Sequence, residues 1–164
     1  MEIKVRIPEA IKAHVDRPDL DIESLVLDLL ISELKLDPDT EVKAHAELAA
    51  KFLEEGLKMI DRDPVQACEK LYKAAEEAVK AITLRQLSDI TRRVRERGRW
   101  RTDDFFEAVS ELRRVYGDNI RRWWDTAWNL HVWGFHEAKA TRRYVEERIE
   151  DVKRLVEMVK GLEG

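Results

Sequence analysis

From residue 38 almost to the end of the chain, apolar residues recur every three or four positions, a spacing that favours helices packed on helices over any sheet. Ala46, Ala49, Phe52, Leu53, Leu57 and Ile60 form one stripe, opened by Asp37-Pro38 or Asp39-Thr40. Asp63-Pro64 opens the next in the order of cap then proline, and Val65, Cys68, Leu71, Tyr72, Ala75, Val79 and Ile82 follow at helical spacing. A basic helix from about Arg85 to Arg97 ends at Gly98. Thr102 caps another, which turns Phe105, Val109, Leu112 and Val115 inward and closes at Gly117. Val145, Ile149, Val152, Val156 and Val159 alternate by four and three, as on an amphipathic face or a short coiled-coil seam. The expectation is an all-α, up-and-down helical bundle over residues 37–164.

The segment opened by Asp118 is the most apolar. Between Ile120 and Phe135 it holds Trp123, Trp124, Trp128 and Trp133 with Ala127, Leu130 and Val132, so that apolar residues occupy every side of the helix. Such a helix is expected to be buried nearly all round, by neighbours or by a second copy of the chain. Residues 1–36 read as a separate strand-helix-helix extension. Ile3, Val5 and Ile7 alternate with charged residues as on a half-buried strand. Glu9 to Val15 forms a helix cut by Arg17-Pro18, and Leu25, Val26, Leu29, Leu30 and Leu34 mark a second.

Composition excludes several classes. Cys68 is the single cysteine, so neither an intrachain disulfide nor a cysteine-built zinc site is open to the chain. No run of about 20 apolar residues exists to span a bilayer, and the first residues lack the block pattern of a secretory signal; a cytoplasmic location is expected. Only two Asn and two Gln stand among many interleaved charges, as in heat-adapted chains. A net charge of −4 speaks against a general nucleic-acid coat protein, but the charge is uneven. Asp16 to Asp63 holds 14 acidic and 6 basic residues, whereas Arg85 to Arg101 holds 7 arginines against Asp89 and Glu96. An anionic partner would meet the second half.

There is no glycine-rich phosphate loop, zinc-protease helix or nucleophile elbow. Two places remain. In Leu130-His131-Val132-Trp133-Gly134-Phe135-His136-Glu137, polar residues interrupt the most apolar helix, where an unpaired buried donor costs about 1–3 kcal/mol. On an α-helix the directions of His131 and His136 differ by about 140°, so a metal site is not expected. His131 continues the stripe of Ile120, Trp124 and Ala127 and should point inward; His136 should lie nearer a groove. His14 and His45 read as surface residues. The second place is the arginine run, with Arg93, Arg97 and Arg99 beside Trp100: guanidinium forks suit phosphate and an exposed indole suits a base. The alternative is a solvated face paired with the acidic first half.

The stretch from Asp63 to Glu77, the Gly98-Arg99-Trp100 step and Trp124-Asp125-Thr126-Ala127 followed by Leu130 through Glu137 resemble the archaeal PaREP family, which is similar to the HEPN superfamily of helical bundles. The resemblance covers roughly Asp39 to the C-terminus and implies a dimer. It offers two kinds of function: metal-independent RNases with an Arg-hydrophobic-x-x-x-His motif, and non-catalytic modules that bind a nucleotide, RNA or a nucleotidyltransferase-type partner protein. His136 falls on the motif histidine and Val132 on its hydrophobic position, but His131 stands where the arginine belongs. The expectation is therefore a non-catalytic dimeric binding module. His131 and His136 are its candidate catalytic pair if it cleaves RNA, and Arg93, Arg97, Arg99, Trp100 and Glu137 are candidate binding residues, with no metal or cofactor. A DNA-binding reading takes residues 3–34 as a ribbon-helix-helix with Lys4 and Arg6 facing DNA, though its first helix is short.

Overall fold

The computed structural model describes residues 3–17 and 20–162, and among these every regular element is helical. Two short helices come first, α1 (Glu9–Val15) and α2 (Ile22–Leu34). Two long ones follow, α3 (Pro38–Met59) and α4 (Pro64–Gln86), then α5 (Ser88–Arg97), α6 (Thr102–Tyr116) and α7 (Asn119–Asn129). α7 runs directly into a π-helical segment, Leu130–His136, before α8 (Arg142–Glu146) and α9 (Ile149–Lys160).

The helix starts follow the capping chemistry of the sequence. Asp37 Oδ1 accepts from the Thr40 amide at 3.0 Å and Asp63 Oδ1 from the Gln66 amide at 3.0 Å, each followed by proline in the first turn. α6 starts one residue earlier than expected. Its N-cap is Arg101, whose amide donates to Asp104 Oδ2 at 2.7 Å, and Thr102 is the first helical residue. The last apolar stripe is split between α8 and α9 by a turn at Glu147 and Arg148, yet Val145, Val152, Val156 and Val159 all remain buried.

α4 is the centre of the bundle. It touches α3, α5, α6, α7, α8, α9 and the π segment, and most of its residues from Ala67 to Thr83 are buried. Ala67, Ala74, Ala75, Ala78 and Ala81 explain this: small side chains on several faces let neighbours approach from all round. The Trp-rich helix does not take that position. Ile120, Trp124, Ala127 and Leu130 are fully buried, but Arg121, Arg122 and Asp125 face solvent and Trp133 is 44% exposed. Tryptophan bulk buries one face deeply; the charged residues between fix the other outside.

The expected N-terminal strand is absent among the described residues. Residues 3–8 carry no strand pairing, and Ile3 and Val5 are 74% and 78% exposed, because a lone strand has no neighbour to complete its hydrogen bonds. The ribbon that the DNA-binding reading needs is not formed within one chain. Met1, Glu2 and the Pro18 break lie outside the described residues. α2 keeps Leu25, Val26, Leu29, Leu30 and Leu34 exposed and meets the bundle through ion pairs, Glu23 with Lys51 and Asp28 with Lys80.

A chain of charges runs inward from that second contact. Lys80 Nζ lies 3.0 Å from Asp28 and 2.8 Å from Glu77, and Glu77 Oε2 lies 2.6 Å from His45 Nδ1. Burial alone would push the Glu77 carboxyl up; the Lys80 ammonium and the His45 hydrogen bond outweigh it and hold the group down to about 2. His45 was expected at the surface, but it lies on the stripe of Val42, Ala46 and Ala49 and is 3% exposed. Because the folded-state value is depressed, the stabilisation from Glu77 is complete above about pH 4.5 and lost as pH falls through about 2. Glu77→Ala should destabilise the protein at pH 7 by about 3 kcal/mol by stranding Lys80, and should flatten the acid limb of the stability profile. Urea titrations from pH 7 to pH 2 check both.

Candidate functional site

The two histidines of the apolar string meet. His131 Nε2 and His136 Nε2 are 3.0 Å apart, and His131 Nδ1 lies 2.7 Å from Glu69 Oε2 on α4. The reason is the π-helical segment. The Glu137 amide donates to the Val132 carbonyl five residues back, at 2.9 Å, so side chains five apart come to share a face instead of diverging as they would on an α-helix. His131 stacks on the Tyr72 ring with centroids 4.1 Å apart and 22° between planes, and Trp128 lies 5.4 Å away on a tilt.

Gly134 makes the segment possible. Helix and α4 approach so closely there that an added Cβ would sit 3.0 Å from Cys68 Cβ and closer still to its sulfur. The Tyr144 hydroxyl donates to the Asn129 carbonyl at 3.1 Å, satisfying an acceptor at the entrance to the π segment. Cys68 itself is fully buried, and burial pushes its thiol up to about 12, so it serves as packing and not as a nucleophile.

The tautomers follow from the geometry. A carboxylate can only accept, so His131 donates Nδ1–H to Glu69 and offers the Nε2 lone pair. With both rings neutral, His136 donates its Nε2–H to His131 and keeps the Nδ1 lone pair free. His131 has a side chain 17% exposed and His136 is exposed. The result is a carboxylate–imidazole–imidazole relay that begins in the core and ends in solvent. No group of His, Cys, Asp and Glu that could hold a metal ion occurs among the described residues.

The other sequence candidates do not join this relay. Glu137 turns to Lys139, 3.6 Å away. The arginine run sits at the far end of α4 from Glu69, and much of it is spent on ion pairs: Arg93 with Glu107 at 2.6 Å, Arg92 with Asp89 at 3.2 Å, Arg95 with Glu41 at 2.5 Å, and Arg97 with Asp104. Trp100 is half-buried and stacks on Phe105 at 4.9 Å. Only Arg99 among the candidate arginines makes no ion pair with a described residue.

Sequence reasoning missed Glu69, the residue that orients His131. Its signal was present: position 69 is four after Val65 and three before Tyr72, on the flank of a buried stripe.

With this geometry in view, comparison with known proteins decides the family. The model of the archaeal PaREP1/PaREP8 family matches residues 44–156. The chain belongs to this family. A crystal structure of a Sulfolobus solfataricus protein is similar at 40% identity over 70% of this chain and 94% of that one, with a TM-score of 0.65. A solution structure of the same structural-genomics target is 42% identical over 68% of this chain and 87% of that one, with a TM-score of 0.60. None of the curated proteins matches. The family match takes in Glu69, His131 and His136 and leaves out α1, α2 and the start of α3.

Gly134→Ala should cost about 1–3 kcal/mol through overpacking against Cys68. Cys68→Ala, which removes the sulfur, should recover part of that loss, and a denaturation double-mutant cycle measures the coupling.

Proposed function

We propose that the protein is an HEPN-like, metal-independent ribonuclease whose working groups are His131 and His136, oriented by Glu69. The observation that carries this reading is the 3.0 Å contact between two solvent-reachable imidazoles, one of them backed by a buried carboxylate. RNA entering between them replaces that contact. His131, with Glu69 behind it, takes the proton of a ribose 2′-hydroxyl as the oxygen attacks the adjacent phosphorus; His136, protonated, gives its proton to the departing 5′-oxygen. The products are a 2′,3′-cyclic phosphate and a free 5′-hydroxyl, and no metal is required. Imidazoles suit this work because one can be neutral and the other charged near neutral pH. His131 stands where the resembled motif has its arginine, so here the phosphate is held by protonated His136 rather than by a permanent fork.

A specific observation also favours the reading of a binding module. Val132 and Trp133 stand exposed on the other side of the π segment, an apolar pair suited to a second copy or a nucleotidyltransferase-type partner beside the histidines. In that case the relay serves to fix the segment's shape.

One experiment separates the two. Purified protein is incubated with mixed single-stranded RNAs in EDTA, and cleavage ends are analysed. Cleavage by the native chain, with cyclic phosphate ends and a bell-shaped pH profile, is the expected result. His136→Ala should lower the rate by roughly 10²–10⁴-fold and leave the melting temperature unchanged, and Glu69→Gln should lower it less. RNA left intact by the native chain, with His136→Ala silent in every assay, moves the conclusion to the binding module.

A further inference from the structure

We propose that residues 3–34 form an assembly surface whose occupant is the same segment of a second copy. Two stretches from Ile3 to Ile7 pair as an antiparallel ribbon, and the outer faces of two α2 helices close beneath it. This is not the dimer that the resemblance implies, which belongs to the bundle from Asp39 onward; residues 3–34 lie outside the family match. It also leaves Val132, Trp133 and the histidine relay untouched.

The ribbon comes from residues patterned as a strand with nothing to pair with. Ile3, Val5 and Ile7 alternate with Lys4 and Arg6, which sets three apolar side chains on one face and two cations on the other. Every regular element among the described residues is helical, so the chain offers no strand of its own to complete a ladder. A second copy brings one with the same alternation. The twofold axis must pass through a residue, because an axis between two residues would set apolar side chains opposite charged ones. Through Val5 it sets Ile3 opposite Ile7 and Val5 opposite Val5, and all three are matched. Through Lys4 or Arg6 it leaves one of them without an apolar partner inside residues 3–7. Pro8 ends the strand, having no N–H to give.

A two-stranded ribbon is not stable in water unless it packs on something more. α2 supplies that surface. Ile22, Leu25, Val26, Leu29, Leu30 and Leu34 recur at helical spacing along its outer side and are 36–61% exposed. The inner side is already taken: Asp28 reaches Lys80, and Ile31 and Ser32 help to close a cavity of about 390 Å³ that His45 also lines. Ten of the fourteen exposed large apolar side chains among the described residues fall within residues 3–34. Their open surface is roughly 900 Å², against about 800 Å² buried per partner in a standard interface and about 300–600 Å² in the largest patch of a typical monomer. The segment's hold on its own bundle through Glu23–Lys51 and Asp28–Lys80 spends none of these side chains.

Charge gives the register a signature. With the axis through Val5, Lys4 of one copy stands opposite Arg6 of the other, twice, on the outer face of the ribbon. Like charges directly opposite one another weaken a strand pair, so added salt should strengthen the association. Lys4→Glu turns both repulsions into ion pairs and should tighten it by about threefold or more.

Sedimentation equilibrium of the full chain over a range of concentrations, with isotope-filtered NMR on a mixture of labelled and unlabelled chains, tests this. The expected result is a concentration-dependent association step with Ile3-to-Ile7 contacts between chains. Val5→Glu and Leu29→Glu, at positions exposed in the single chain, should each weaken that step by about tenfold or more while the helical circular dichroism of the bundle is kept. Three results would overturn the proposal: no contact between chains at Ile3 and Ile7, sedimentation of Val5→Glu and Leu29→Glu identical to that of the native chain, or association unchanged or weakened by Lys4→Glu. The second, with association intact, would place the contact between copies on the bundle. RNA cleavage at the relay can succeed or fail independently of all three.

Discussion

The structure depends on carboxylates buried in its central helix. α4 is covered along most of its length by neighbours, and alanine makes that cover close. A carboxylate carried into such a place must find a partner or leave the fold much less stable. Glu69 and Glu77 are two turns apart, and each has drawn in an imidazole: His131 from the π segment, His45 from α3. The placement of two of the four histidines thus follows from two acidic residues on a helix whose other residues are mostly small or apolar.

The helical architecture was legible because it rests on local signals. The Asp-Pro starts, the Gly98 and Gly117 ends and the stripes around Phe52, Leu71 and Leu112 specify helices without reference to tertiary structure. Which helix would sit at the centre was harder to read. Tryptophans draw attention to α7, but burial on every side requires small residues, and the alanines of α4 carry that property with little hydrophobic contrast. His45 shows the same effect in one residue. Its polarity suggested the surface; its position on the Val42–Ala49 stripe set it inside.

The histidine pair was legible as residues and illegible as geometry. A regular α-helix keeps His131 and His136 apart, and nothing in their spacing announces a π-helical segment. The cause lies in a contact distant in sequence, the close approach of Gly134 to Cys68, 66 residues earlier in the chain. π-helical turns are rare and occur disproportionately at functional sites, because the less favourable backbone persists only where something else over-determines it. Here the Glu69 carboxylate, the Tyr72 stack and the Tyr144 hydroxyl all act on the same few residues. Removing any one should loosen the pair before it unfolds the bundle.

The segment outside the family match bears on the chemistry within it. α2 buries little, and most of its leucines face solvent, yet Asp28 reaches Lys80 in the core. Lys80 in turn neutralises Glu77, and Glu77 fixes the tautomer of His45. Asp28, Ser32 and Lys35 also close one side of the cavity into which His45 opens. A relative without α2 could keep Glu77 and His45 but would leave Lys80 one carboxylate poorer and the cavity open on that side. α2 therefore acts on the bundle through charge and enclosure, two effects that need few buried apolar contacts, and this accounts for a helix that touches the core at one lysine while leaving its apolar residues in solvent.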